Sequence, residues 1–239
     1  MRKHALILGG TKGLGRELAA KALKYGFTPI IVGRTAEECR SDQTLAGAVF
    51  VSANLAAPYA APLAVIPVLA GLDVSHVFWT AGIFLKRPLG SCETSELDEM
   101  AKTHFLGPVA TLRDVHKTLP GPYHLTVVAS TSSFRMREHE TVYAALKSAK
   151  AQFARHFAKE LAAERPGSKT LLVNPGGMKT GFLASAGIDA SKMMEPAIVA
   201  ELIWVEVTMQ RTAFCELNVM RTEDGSPQLV YGPQRPETP

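Results

Sequence analysis

Short apolar runs alternate with longer amphipathic stretches along almost the whole chain. Runs at residues 5–8, 30–32, 48–51, 74–79, 125–129, 170–173 and 213–219 read as strands, too short for helices and bounded by turn residues. Between them, Leu14, Leu18 and Ala22 recur on one helical face that closes near Gly26. An Ala/Pro/Leu-rich segment at 56–71 predicts a helix interrupted by Pro62 and Pro67. A further helix is predicted over 95–118, with Ser95 as its cap and Pro108 inside it to kink or break it. Residues 143–161, rich in Ala, Leu, Lys and Glu and free of Gly and Pro, predict the next, and 197–209 the last. Strands alternating with helices predict an α/β domain, a parallel sheet of about seven strands covered on both faces. The tail from Thr222 is polar and carries Pro227, Pro233, Pro236 and Pro239, so it is expected to be mobile or loosely docked.

Composition narrows the class without changing that picture. With 239 residues and no linker or repeat, the chain reads as a single domain over 1–239. A net charge of +4, scattered and without a dense basic block interleaved with aromatics, gives no reason to expect a nucleic-acid partner. No apolar run reaches the roughly 18 residues of a membrane span, and the first strand begins by His4, leaving no room for a signal peptide. Cys39, Cys92 and Cys215 lie far apart and form neither a CxxC pair nor a disulfide framework, as expected of a cytoplasmic protein.

Candidate chemistry gathers at two places. Gly9-Gly10-Thr11-Lys12-Gly13-Leu14-Gly15 stands between a strand and a helix, where glycines let backbone N–H groups approach a diphosphate and the helix N-terminus adds partial positive charge. A tight turn made for packing would look the same. About twenty residues on, after the second strand, an acid would grip the ribose of NAD; here Arg34 stands instead, with Lys12 as a second cation, which favours NADP(H). The second place is Tyr143 and Lys147, four apart on one helical face, with Ser130 at the end of a buried strand thirteen residues earlier. A free phenol, with a pKa of about 10, is a poor acid or base near neutrality, and a neighbouring ammonium lowers it toward the useful range.

Taken together these residues resemble the short-chain dehydrogenase/reductase family, in its single-domain branch. The resemblance runs to about residue 220. It rests on Gly9, Gly13 and Gly15, on Thr80-Ala81-Gly82 where the family has Asn-Ala-Gly, on Ser130, Tyr143 and Lys147, and on Pro175-Gly176 and Thr180 after the sixth strand. It implies a Rossmann-like doubly wound parallel sheet and a cofactor held by Gly9, Thr11, Lys12, Gly13, Leu14, Gly15, Arg34, Asn54, Leu55, Thr80, Ala81, Gly82, Tyr143, Lys147, Pro175, Gly176, Met178 and Thr180. Asn54 replaces the family's usual aspartate. It further implies that Tyr143 is the general acid or base, that Lys147 lowers its pKa and binds the nicotinamide ribose, and that Ser130 donates to the substrate oxygen. His104 stands where the family often has a catalytic asparagine, either as a structural substitute or as a proton carrier. In the family this residue's main-chain carbonyl holds a water leading to the catalytic lysine; Pro108 removes that carbonyl's helical donor, so the resemblance implies that the relay persists while His104 mainly fills space and makes a local hydrogen bond. The expected function is hydride transfer between NADP(H) and a small carbonyl or alcohol substrate, in a homodimer or homotetramer. The competing reading is a nucleotide-responsive regulatory protein on the same fold. Phe84, Leu85, the 131–140 segment, Met178 and the 181–195 loop should line the substrate pocket, where Arg135 and Arg137 meet either an anionic substrate or only solvent.

Overall fold

Leu6 and Leu8 face one side of the first strand, Ala5 and Ile7 the other, and all four are fully buried. A strand apolar on both faces needs cover on both, the signature of a parallel sheet between helical layers. The computed structural model describes residues 3–184 and 187–234. Among them eight strands form one sheet: β1 (His4–Leu8), β2 (Thr28–Gly33), β3 (Val49–Ser52), β4 (Val74–Trp79), β5 (His124–Val128), β6 (Lys169–Pro175), β7 (Phe214–Arg221) and β8 (Pro227–Tyr231). Their order is β3-β2-β1-β4-β5-β6-β7-β8, parallel throughout except for the antiparallel β8. The Rossmann-like doubly wound sheet expected from the sequence is therefore present, with one strand more.

Helix α1 (Gly13–Lys24) and helix α6 (Pro196–Met209) cover one face, where Leu18, Ile7, Phe78 and Trp204 form part of one core and the Trp204 indole donates to Leu18 O at 3.0 Å. The other face carries α2 (Ala60–Leu69), α4 (Gly107–Thr118) and α5 (Thr141–Glu164) over Leu6, Val77, Trp79 and Leu125. Strand order reverses between β1 and β4, so the connections leaving their paired carboxyl ends turn to opposite faces and open a crevice, the place where ligands bind in such sheets.

Three local expectations are corrected. Helix α2 runs unbroken through Pro67, and Pro62 falls in its first turn, where a missing N–H costs nothing. The predicted 95–118 helix begins earlier, as α3 (Thr94–Ala101), and Ser95 lies inside it; Glu93 takes the cap position and its N–H donates to Glu96 Oε2 at 2.9 Å. The tail is not loose as far as residue 231. Pro227 opens β8 at the sheet edge, a position that asks no N–H of it, and the Asn218 amide clamps the hairpin by donating to Val230 O at 3.0 Å and Gly232 O at 2.7 Å. Pro236 and Pro239 lie outside the described residues.

Pro108 neither breaks nor sharply ends its helix. Between α3 and α4 the chain makes one π-helical turn, Lys102–Leu106, in which the Gly107 N–H reaches back to Lys102 O. That diverts the donor that Thr103 O would use, while Pro108 has none to give His104 O. Pro108 thus gives the carbonyl of residue 104 no N–H four residues on, beside a π-turn in which the preceding carbonyl also loses its usual donor.

Candidate active site

A cleft of about 820 Å³ runs along the crevice above β1 and β4. Every residue expected at the cofactor lines it, from Gly9, Thr11, Lys12, Gly13, Leu14 and Gly15 through Arg34, Asn54, Leu55, Thr80, Ala81 and Gly82 to Pro175, Gly176, Met178 and Thr180. Two glycines are demanded by close approach. A Cβ on Gly9 would stand 2.6 Å from Ala81 N, at a φ of +95° that disfavours any other residue. One on Gly15 would stand 2.2 Å from Gly9 O. The glycine turn and the 80–82 wall are therefore in direct contact. Thr80 reinforces them: its hydroxyl donates to Leu8 O at 2.9 Å and to Gly9 O at 3.1 Å. Arg34 is exposed at the rim and pairs loosely with Glu99 at 3.6 Å.

At the other end of the cleft, β5 delivers Ser130 and α5 delivers Tyr143 and Lys147, the last two on the helical face turned to the sheet. Ser130 stands close enough to the Tyr143 hydroxyl to lower its pKa. Ser130 Oγ also accepts from Ser132 N at 3.1 Å, which holds the short turn after β5. Lys147 Nζ reaches toward Val128 O at 3.5 Å and lies 5.5 Å from the Tyr143 ring centroid. Phe84 and Phe182 pack against Tyr143, with centroids at 4.8 and 6.1 Å, and make the substrate end apolar. Lys86, Arg135 and Arg137 line its mouth, and Glu140, buried, accepts from Ser132 Oγ at 2.9 Å.

The electrostatics reverse one expectation. Burial raises the Tyr143 pKa above the ordinary phenol value, outweighing the influence of Ser130 that lowers it. Lys147 is the group that moves toward neutrality, pushed down to about 7 by burial. The sequence had the lysine tuning the tyrosine; desolvation of both side chains dominates instead.

His104 is not on the cleft surface. It lies fully buried behind Gly82, where a Cβ would meet the imidazole Cε1 at 2.8 Å. Its Nε2 stands 2.6 Å from Ile83 O and 3.0 Å from Ile83 N. One nitrogen cannot donate to one and accept from the other in the same tautomer. The shorter contact fits Nε2–H donating to Ile83 O, and Nδ1 is left buried without a partner among the described residues. Burial, with Lys147 and Lys150 nearby, drives the imidazole pKa well below its usual value.

Two nearby groups were missed. Glu140 gave no signal beyond its place three residues before Tyr143. Lys150 could have been suspected, standing three residues after Lys147 on the same buried face. Among the described residues no cluster could hold a metal ion, and no helix is long and apolar enough to cross a membrane.

A family model described as short chain dehydrogenase matches residues 3–190. An uncharacterized oxidoreductase of Staphylococcus aureus (strain USA300) is 25% identical over 217 residues, covering 87% of this chain and 92% of the relative. Another, of Staphylococcus epidermidis (strain ATCC 12228), is 26% identical over 216 residues, covering 86% and 91%. Among solved structures, an alcohol dehydrogenase of Thermococcus sibiricus complexed with 5-hydroxy-NADP shares the fold at a TM-score of 0.80, with 21% identity over 99% of both chains. A short chain dehydrogenase of Burkholderia cenocepacia J2315 in complex with NADP does so at 0.77, with 22% identity over 90% of this chain and 95% of its own.

Proposed function

The chain belongs to the short chain dehydrogenase family of oxidoreductases, and from that premise we propose that it uses NADP(H) to interconvert a small carbonyl compound and its alcohol. The observation that carries this reading is the Ser130–Tyr143–Lys147 set, buried together at one end of a cleft whose other end is a glycine turn. The fit of a dinucleotide rests on that turn at the N-terminus of α1: a Cβ at Gly9 or Gly15 would clash with the Ala81 backbone or with Gly9 O and force the turn out of place. When bound there, the nicotinamide supplies or takes the hydride. The chain's own residues do the rest. Ser130 donates to the substrate oxygen, Phe84 and Phe182 exclude water, and Tyr143 gives or takes the proton at that oxygen. A phenol whose pKa lies above its ordinary value keeps its proton at neutral pH, which favours the reducing direction. The same reading takes residues 1–239 as one catalytic domain, acting in the cytoplasm as a homodimer or homotetramer. Its test is loss of NADPH absorbance with a panel of aldehydes, ketones, keto acids and sugars. Dinucleotide binding without turnover of any of them would favour a regulatory protein instead.

Cofactor preference follows from the rim. Lys12 and Arg34 line the glycine-turn end of the cleft, where this reading puts the 2′-phosphate, so NADPH is expected to bind more tightly than NADH. Arg34→Asp should narrow or invert that preference, because it removes a cation and adds an acceptor for a 2′-hydroxyl. Equal affinity of the parent for both cofactors, measured by calorimetry, would refute it.

His104 is expected to be a spacer with a local hydrogen bond. An asparagine could offer Ile83 both a donor and an acceptor, which the single Nε2 cannot. His104→Asn should therefore stay within about 10-fold of parental kcat, short of the 10²-fold minimum for losing a general acid or base. The parent's pH–rate profile should show no limb that disappears in His104→Asn. Collapse of the variant together with loss of a limb that the parent shows would make the imidazole a proton carrier.

A further inference from the structure

Behind the cleft lies a buried basic side chain that the proposed chemistry does not use. Lys150 is fully buried and does not line the cleft. Its Nζ donates to Ala81 O at 3.1 Å and stands 4.5 Å from the centroid of the Trp79 ring. Burial and the Lys147 charge push its pKa well below the ordinary lysine range. An amine in that place is costly, and an apolar side chain of the same length would fill the space without desolvation. A packing role alone thus gives no reason for lysine.

What the amine holds is more telling. Residues 80–86 have no regular secondary structure, yet they carry the wall of the cleft. Two of this segment's carbonyls are held from behind: Ala81 O by Lys150 and Ile83 O by His104. On its other side, Ala81 N donates to Leu8 O at 2.9 Å, and Ala81 touches the glycine turn so closely that Gly9 has no room for a Cβ. A shift of Ala81 is therefore a shift of the glycine turn.

We propose that Lys150 is a positioning residue for the dinucleotide site: its amine, held between the Trp79 ring and the Ala81 carbonyl, fixes the 80–83 wall and through it the turn at Gly9. The role rests on reading the cleft as a dinucleotide site and acts through the backbone, without contact to substrate. It predicts that affinity and stability come apart. Lys150→Met keeps the length and the contact with Trp79 but removes the donor. The NADPH dissociation constant should rise by about tenfold, the scale of a buried carbonyl left unpaired. The melting temperature should stay within about 4 °C of the parent or rise, because an apolar group replaces a desolvated amine. Lys150→Gln keeps a donor and should hold affinity within about 3-fold, well inside the tenfold loss.

Amide exchange over residues 80–83, measured on the protein without ligand, should quicken in Lys150→Met and stay slow in Lys150→Gln. Unchanged affinity and exchange in Lys150→Met overturn the proposal. So does weakening that merely tracks a lower melting temperature and is shared by Lys150→Gln. Should Lys150→Met not fold, Lys150→Gln decides alone: parental affinity supports the role and a tenfold loss ends it. A parent that binds no dinucleotide would refute the reading of the cleft, while the exchange experiment would still test the clamp.

Discussion

Tyr143→Phe is expected to lower kcat by at least about 10²-fold while leaving NADPH binding near the parental level, since losing a general acid typically costs 10²–10⁴. The variant is a clean one. The Tyr143 ring is fixed edge-on by Phe84 at 4.8 Å and by His104 at 5.6 Å, contacts that a phenylalanine ring keeps. Only the hydroxyl goes, and with it the favourable influence of Ser130 on that group. Ser130 still has the Ser132 N–H at 3.1 Å, so the turn after β5 should hold its shape. Stability should change little, and the loss should fall on kcat rather than on cofactor affinity. Near-parental turnover with any substrate the parent accepts would end the assignment of Tyr143.

Much of this site was legible in the sequence because its determinants are local. A strand that ends in a glycine turn and runs into a helix, or a Tyr and a Lys four apart, declares its geometry within a few residues. Seven of the strands were legible for the same reason, each being a short, largely apolar run bounded by turn residues. The signal failed where long-range packing decided. Strand β8 escaped because its hold is the Asn218 amide reaching carbonyls 12 and 14 residues away, against a composition that reads as loose tail. Helix α2 keeps Pro67 because the surrounding core, not propensity, holds the helix together. The direction of the tyrosine shift was misread because spacing shows which charges are neighbours and says nothing of desolvation. Lys150 escaped because a lysine in an Ala-rich helix reads as solvated until its burial is seen.

Lys147 should set the upper pH limit of reduction. When Tyr143 gives up its proton it becomes a phenolate in a site where burial already disfavours that form. A nearby ammonium offsets the charge, and Lys147 lies 5.5 Å from the ring centroid. Burial lowers the Lys147 pKa to about 7, so the ammonium is present below that pH and lost above it. The sign follows directly: kcat for carbonyl reduction should be flat on the acid side and fall toward tenfold per unit as pH rises past about 7. Tyr143 adds no limb there, because its own pKa is displaced upward. Lys147→Met removes the cation at every pH and should cost at least about 10²-fold, since an uncompensated buried charge costs about 3–5 kcal/mol. Lys147→Arg is the discriminating variant, because a guanidinium stays protonated throughout. Its absolute rate should drop, as the longer planar head fits the site poorly, but its profile should lose the limb near neutrality. If that limb survives in Lys147→Arg, the titrating group is not Lys147, and the buried cation is not what allows Tyr143 to release its proton.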